Sequence, residues 1–117
     1  MIIKKTCNFE YEEKDGRFCI QLVGEIDHHS AVAVRTAIDD MIRSKRPCEL
    51  VVDMSAVDFM DSSGLGLIMG RYALVKQYGG TLAVLDPSPA VLKIMRLAGM
   101  ERMISILRTK VKPGTTI

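Results

Sequence analysis

Two adjacent hydroxyls, Ser62 and Ser63, stand between a carboxylate, Asp61, and two glycines, Gly64 and Gly66. An apolar strand containing Leu50, Val51 and Val52 leads into them through a loop expected to carry Asp58 and Asp61, and an apolar helix follows. Asp or Ser ahead of a helical run caps it, because the side-chain oxygen accepts a bond from an otherwise unpaired N–H of the first turn. Glycine weakens a helix by about 1 kcal/mol relative to alanine, so two of them at a helix start are not there to hold the helix together. Lacking side chains, they leave room for a backbone or a phosphate to come close. The serines are therefore expected where a second molecule can reach them.

The chemistry open to such a loop narrows quickly. Hydrolysis by a nucleophile elbow needs Gly-x-Ser-x-Gly, and no glycine stands two residues before either serine. The only histidines, His28 and His29, are neighbours in sequence whose side chains point apart, so no serine triad and no metal site with a third ligand is expected. The run Gly64-Leu65-Gly66-Leu67-Ile68-Met69-Gly70 lacks the Lys-Ser/Thr of a P-loop, which leaves a small nucleotide-binding domain as the alternative reading of the helix start. A phosphorylatable serine fits better. Phosphate adds about −1.5 to −2 charge, which a helix N-terminus tolerates, so the fold survives. With Asp27, Asp58 and Asp61 nearby, the outer surface then becomes strongly anionic. A partner fitted to the neutral surface is rejected, giving a binding switch without catalysis, cofactor or metal.

The elements around the loop follow from periodicity. Alternation from about Ile3 to Glu12, with Ile3, Cys7, Phe9 and Tyr11 on one side, predicts a half-buried strand. Lys14-Asp15-Gly16 turns it into a second strand through Phe18, Ile20 and Leu22, a hairpin. Gly24 to His29 reads as a polar loop, with Ser30 capping a helix that buries Ala31, Val34, Ile38, Met41 and Ile42 and exposes Arg35, Asp39, Asp40 and Arg43. Pro47 ends it, and Glu49 to Asp53 is a short buried strand. The helix after Ser63 turns Leu65, Ile68, Met69, Tyr72 and Val75 inward and stops at Gly79-Gly80. Thr81 to Leu85 is a strand, and Ser88-Pro89 opens a third helix closing at Gly99. Ile104 to Leu107 is a last short strand, and residues 110–117, with Pro113-Gly114, read as a frayed tail.

Strands alternating with helices imply right-handed parallel crossovers. The expected fold is α/β: a mixed sheet of four to five strands, an N-terminal hairpin, and helices mainly on one face, in one domain over residues 1–117. If the second and third strands are parallel neighbours, Asp27 and the Asp61-Ser62-Ser63 loop meet at one sheet edge, where ligands of open α/β sheets bind.

Composition agrees with a binding protein. Sixteen basic and 14 acidic residues are dispersed, with no basic block to suggest nucleic acid. The start Met1-Ile2-Ile3-Lys4-Lys5 becomes polar too early for a signal peptide, and no apolar run is long enough to span a bilayer. Three cysteines, Cys7, Cys19 and Cys48, lack the spacing of a disulfide framework or zinc site; they suit a cytoplasmic protein and read as small buried hydrophobes on strands. Eight methionines point to an adaptable core.

Taken together, Gly24-Glu25-Ile26-Asp27-His28-His29, Phe59-Met60-Asp61-Ser62-Ser63-Gly64-Leu65-Gly66, Gly70-Arg71-Tyr72 and Ser88-Pro89-Ala90-Val91 resemble the anti-sigma factor antagonists of the STAS-domain family, most closely those acting on the anti-sigma F factor of sporulation. The resemblance runs from about Phe18 to Gly99. It implies a protein whose unphosphorylated form binds an anti-sigma factor that is also a serine kinase, releasing the sigma factor. Phosphorylation by that kinase ends the interaction, and a metal-dependent serine/threonine phosphatase restores it. The family's phosphoacceptor falls on Ser62, with Ser63 as the adjacent alternative, and its acidic contact residue falls on Asp27. Asp61 and Ser63 support the loop, while Gly64 and Gly66 are expected to give the partner clearance. Family members usually carry a further C-terminal helix, for which Arg108 to Ile117 shows little amphipathic pattern.

Overall fold

A computed structural model of the chain describes residues 7–109. The expected continuation of the first strand through Ile3, and the tail from Lys110, lie outside those residues. The elements run β1 (Cys7–Lys14), β2 (Arg17–Ile26), α1 (His28–Lys45), β3 (Glu49–Met60), α2 (Ser62–Gln77), β4 (Thr81–Leu85), α3 (Pro89–Leu97), a 3-10 turn (Met100–Arg102) and β5 (Ser105–Leu107). The strands lie side by side in the order β1-β2-β3-β4-β5. β1 is antiparallel to β2, and the remaining pairs are parallel. Right-handed crossovers that all step the same way along a sheet place α1, α2 and α3 on one face.

The hairpin forms because Asp15 and Gly16 both take positive φ, 54° and 83°, the twist a two-residue turn requires. Phe18, Ile20 and Leu22 then point under the helices and are buried, joined there by Leu50, Val52 and Met54 of β3 and Leu82 and Val84 of β4. Tyr11, expected inward, sits opposite Ile20 at the sheet edge and stays 44% exposed, its ring 5.7 Å from that of Phe18. Met41, Met54, Met60, Met95 and Met100 are all buried, so methionine is core material here. Cys19 and Cys48 depart from the expectation of buried strand residues. Cys19 is half-buried on the face without helices, and Cys48 is exposed just before β3, its thiol against the Gly16 carbonyl at 3.2 Å.

β3 is more than twice the expected length, 12 residues. Its pairing with β2 slips twice, opposite Gln21 to Val23 and opposite Gly24 to Glu25, each slip inserting one extra β3 residue. Such bulges break strict alternation, so the buried positions become Met54, Val57 and Met60, three apart. Asp58 consequently lies on the strand, exposed, and not on a loop.

α2 also turns differently from expectation. Gly64, Leu67, Ile68, Arg71 and Val75 are buried, while Leu65, Met69 and Tyr72 flank that stripe half-buried. The buried arginine pairs with Asp39 of α1, which therefore faces α2 and not solvent. Arg71 Nε lies 2.8 Å from Asp39 Oδ1, and Nη2 donates to Oδ2 at 3.4 Å. α3 begins as expected, Ser88 Oγ accepting from the Val91 N–H at 3.2 Å, and Gly99 leaves it at φ 74°.

Candidate functional site

The site is built where β2 and β3 end. Their register brings Ile26 opposite Met60, and the Asp61 N–H donates to the Ile26 carbonyl at 3.2 Å. The residues that follow, Asp27 and Asp61, are the N-caps of α1 and α2. Two helix starts, each headed by a carboxylate, are thus fixed side by side at the carboxyl edge of the sheet.

Asp27, and not Ser30, caps α1. Asp27 Oδ1 accepts from the Ser30 N–H at 2.9 Å, and the Asp27 N–H donates to Ser30 Oγ at 3.0 Å. This reciprocal box buries Ser30, whose hydroxyl also donates to the Glu25 carbonyl at 3.0 Å. The segment read as a polar loop is therefore the last turn of a strand and the first turn of a helix. The Ser30 N–H, followed by its hydroxyl and the His29 N–H, holds the Asp27 carboxyl below its ordinary value of 3.8. Asp27 is thereby fixed as an anion while remaining only half-buried.

Asp61 caps α2 by accepting the Ser63 N–H at 2.8 Å. The helix starts at Ser62, two residues earlier than expected. Ser62 occupies the first helical position and is exposed; Ser63, one place further, is half-buried. The two glycines separate in role. Gly64 is buried, and a Cβ on it would overlap the Met60 side chain and touch Ile26. It allows α2 to close onto the ends of β2 and β3, so the expectation that it gives a partner clearance is corrected. A Cβ on Gly66 would meet nothing within 4 Å, and Gly66 is exposed.

Between the first turns of α1 and α2 runs a groove of about 210 Å³ bounded by His28, Val32, Arg35, Ser63, Gly66 and Leu67. Val32 is 44% exposed on its wall, and Phe59, at the end of β3, is 50% exposed. Exposure of one apolar residue on a polar helix face or at a strand end carries no signal in the sequence. Among the described residues, no three His, Cys, Asp or Glu side chains gather as a metal site, and no helix is long and apolar enough to cross a membrane.

Comparison with known proteins adds to this geometry. The sequence profile of the STAS domain matches residues 8–113. An anti-sigma F factor antagonist from Paenibacillus polymyxa is 38% identical over 109 residues, covering 92% of each chain. The solved structure of the anti-sigma factor antagonist SpoIIAA in its unphosphorylated form matches with a TM-score of 0.76 at 28% identity, over 92% of each chain. The Bacillus cell fate determinant SpoIIAA in its phosphorylated form matches with a TM-score of 0.70 at 27% identity, over 92% of this chain and 96% of that one.

Proposed function

Because the chain belongs to the STAS-domain family, we propose that it is an anti-sigma factor antagonist whose binding is switched off by phosphorylation of Ser62. One observation carries this reading: Ser62 is the exposed hydroxyl at the first position of α2, between the capping carboxylate of Asp61 and an open approach over Gly66. The unphosphorylated protein docks this edge onto an anti-sigma factor, which then releases its sigma factor. That proteins named SpoIIAA have been solved in unphosphorylated and phosphorylated forms, each matching this fold, supports a switch that leaves the architecture intact.

The anti-sigma factor acts as the kinase. Ser62 Oγ attacks the γ-phosphorus of its ATP, a new O–P bond forms, ADP leaves, and the hydroxyl proton passes to a base on the kinase. This chain supplies the acceptor and its placement, not catalysis. Once formed, the phosphate lies on the free N–H groups of a helix start, which accommodate it locally. Its outer oxygens add to the charge of Asp27, Asp58 and Asp61. Burying such an uncompensated anion against the kinase costs several kcal/mol, enough to disrupt docking. A serine/threonine phosphatase reverses the modification, and the cycle runs in the cytoplasm without direct contact with nucleic acid.

The test is incubation with the cognate anti-sigma kinase and ATP, followed by mass mapping. Phosphate is expected on Ser62. Ser62→Ala should bind the kinase yet accept no phosphate, and Ser62→Asp should fold but bind poorly. Phosphate confined to Ser63 would overturn the assignment, and tight ATP binding by the isolated chain would favour a nucleotide-binding domain.

A further inference from the structure

The seam between α1 and α2 carries a charge imbalance that the phosphoacceptor does not explain. Asp39 and Arg71 pair across it, with side chains only 16% and 9% exposed. Arg71 Nη1 is buried and has no hydrogen-bond partner among the described residues. One helical turn to either side of Asp39, on the same stripe of α1, stand Arg35 and Arg43. Burial lowers the Arg71 pKa, Asp39 opposes that shift, and the fields of Arg35 and Arg43 add to it. Neither Arg35 nor Arg43 forms an ion pair among the described residues. Arg35 and Arg43 thus flank the Asp39–Arg71 pair along α1.

Arg35 is the member of this set that reaches the site. It is exposed, and it closes the groove whose opposite wall is Ser63, Gly66 and Leu67. The face is therefore divided: acidic at Asp27, Asp58 and Asp61, cationic one to two helical turns along the seam. Grooves of this kind select a partner by the order of its charges as well as by shape.

We propose that the α1–α2 groove seats an acidic segment of the anti-sigma kinase, with Arg35 as its specificity-determining contact. The proposal rests on the reading of the previous subsection and assigns to that docking face a second point of recognition. A kinase carboxylate placed over Arg35 meets an exposed guanidinium that has no ion pair among the described residues. Contact with Gly66 and Leu67 brings the same segment beside Ser63, within one helical turn of Ser62. Charge alternation across the face then fixes the register in which the acceptor hydroxyl is offered.

The experiment measures binding of the unphosphorylated protein to the cognate anti-sigma kinase, and the rate of phosphate transfer, for wild type, Arg35→Lys, Arg35→Ala and Arg35→Glu. Urea midpoints confirm that the variants fold. At about 50 mM salt, Arg35→Glu should weaken binding at least about tenfold, Arg35→Ala less, and Arg35→Lys about twofold at most. At about 500 mM salt, where screening is nearly complete, the gap should shrink to under about threefold. In the transfer assay the loss should appear in KM and not in kcat. A folded Arg35→Glu protein that binds within about twofold of wild type overturns the proposal. So does a lowered kcat at unchanged affinity, which would place Arg35 in the transfer step. A wild-type protein that neither binds nor accepts phosphate overturns the functional reading as well, which separates the two failures.

Discussion

Replacing Gly64 and Gly66 by alanine should move stability in opposite directions, although the two glycines are two residues apart on one helix. At Gly64 a new methyl overlaps the Met60 side chain, which is buried at 2% exposed, so Met60 must shift within the core. Forcing an extra carbon into a filled core costs about 1–3 kcal/mol, and alanine's better helix propensity returns about 1 kcal/mol. The net is a loss of about 1 kcal/mol. At Gly66 the methyl enters open space, so only the propensity gain of about 1 kcal/mol remains. The two variants should therefore differ by about 2 kcal/mol, near 1 M in urea midpoint for a domain of this size. Urea titration followed by far-UV circular dichroism suits a chain without tryptophan. Gly66→Ala should also weaken kinase binding while stabilising the fold, because it fills the approach to Ser62. A Gly64→Ala protein as stable as Gly66→Ala would refute the packing argument.

Two further outcomes follow from the charged groups. The Asp27 carboxyl is held below its ordinary 3.8, so the stability it contributes is present above that value and is lost as pH falls through the lower folded-state value. Unfolding of wild type and Asp27→Asn, compared between about pH 7 and pH 2.5, should show the wild type losing more stability on acidification; equal losses would remove Asp27 from the account. Asp39→Ala leaves Arg71 buried and unpaired beside two other arginines, and should cost about 3 kcal/mol. Adding Arg71→Leu to Asp39→Ala should recover much of that loss, measured by the same urea titrations, since a well-packed apolar pair replaces an orphaned charge.

Much of the architecture was legible because each element carried its own punctuation. Asp15-Gly16, Gly79, Ser88-Pro89 and Gly99 mark turns and helix ends by backbone requirements that do not depend on the rest of the chain. The meeting of Asp27 with the serine loop followed from topology alone. What stayed hidden depends on partners distant in sequence. The bulges of β3 are set by pairing with β2, so alternation in one segment could not disclose Met54, Val57 and Met60 as a buried series. Gly64 looked like clearance for a visitor because Met60 can be recognised as its neighbour only once α2 is laid against β3. Arg71 was concealed for the same reason, Asp39 being 32 residues away. Asp27 was misjudged locally: both it and Ser30 can cap, and the capping box uses both.

The margins of the sheet bear on how such a switch stays selective. β5 is only three residues long, and the outer strand at the other side, β1, exposes Glu10, Glu12, Glu13 and Lys14. Short or highly charged outer strands resist pairing with a foreign strand, a route by which open sheets aggregate. For a protein proposed to bind and release a partner, such edges among the described residues leave recognition to the ends of β2 and β3 and the helix starts that follow them.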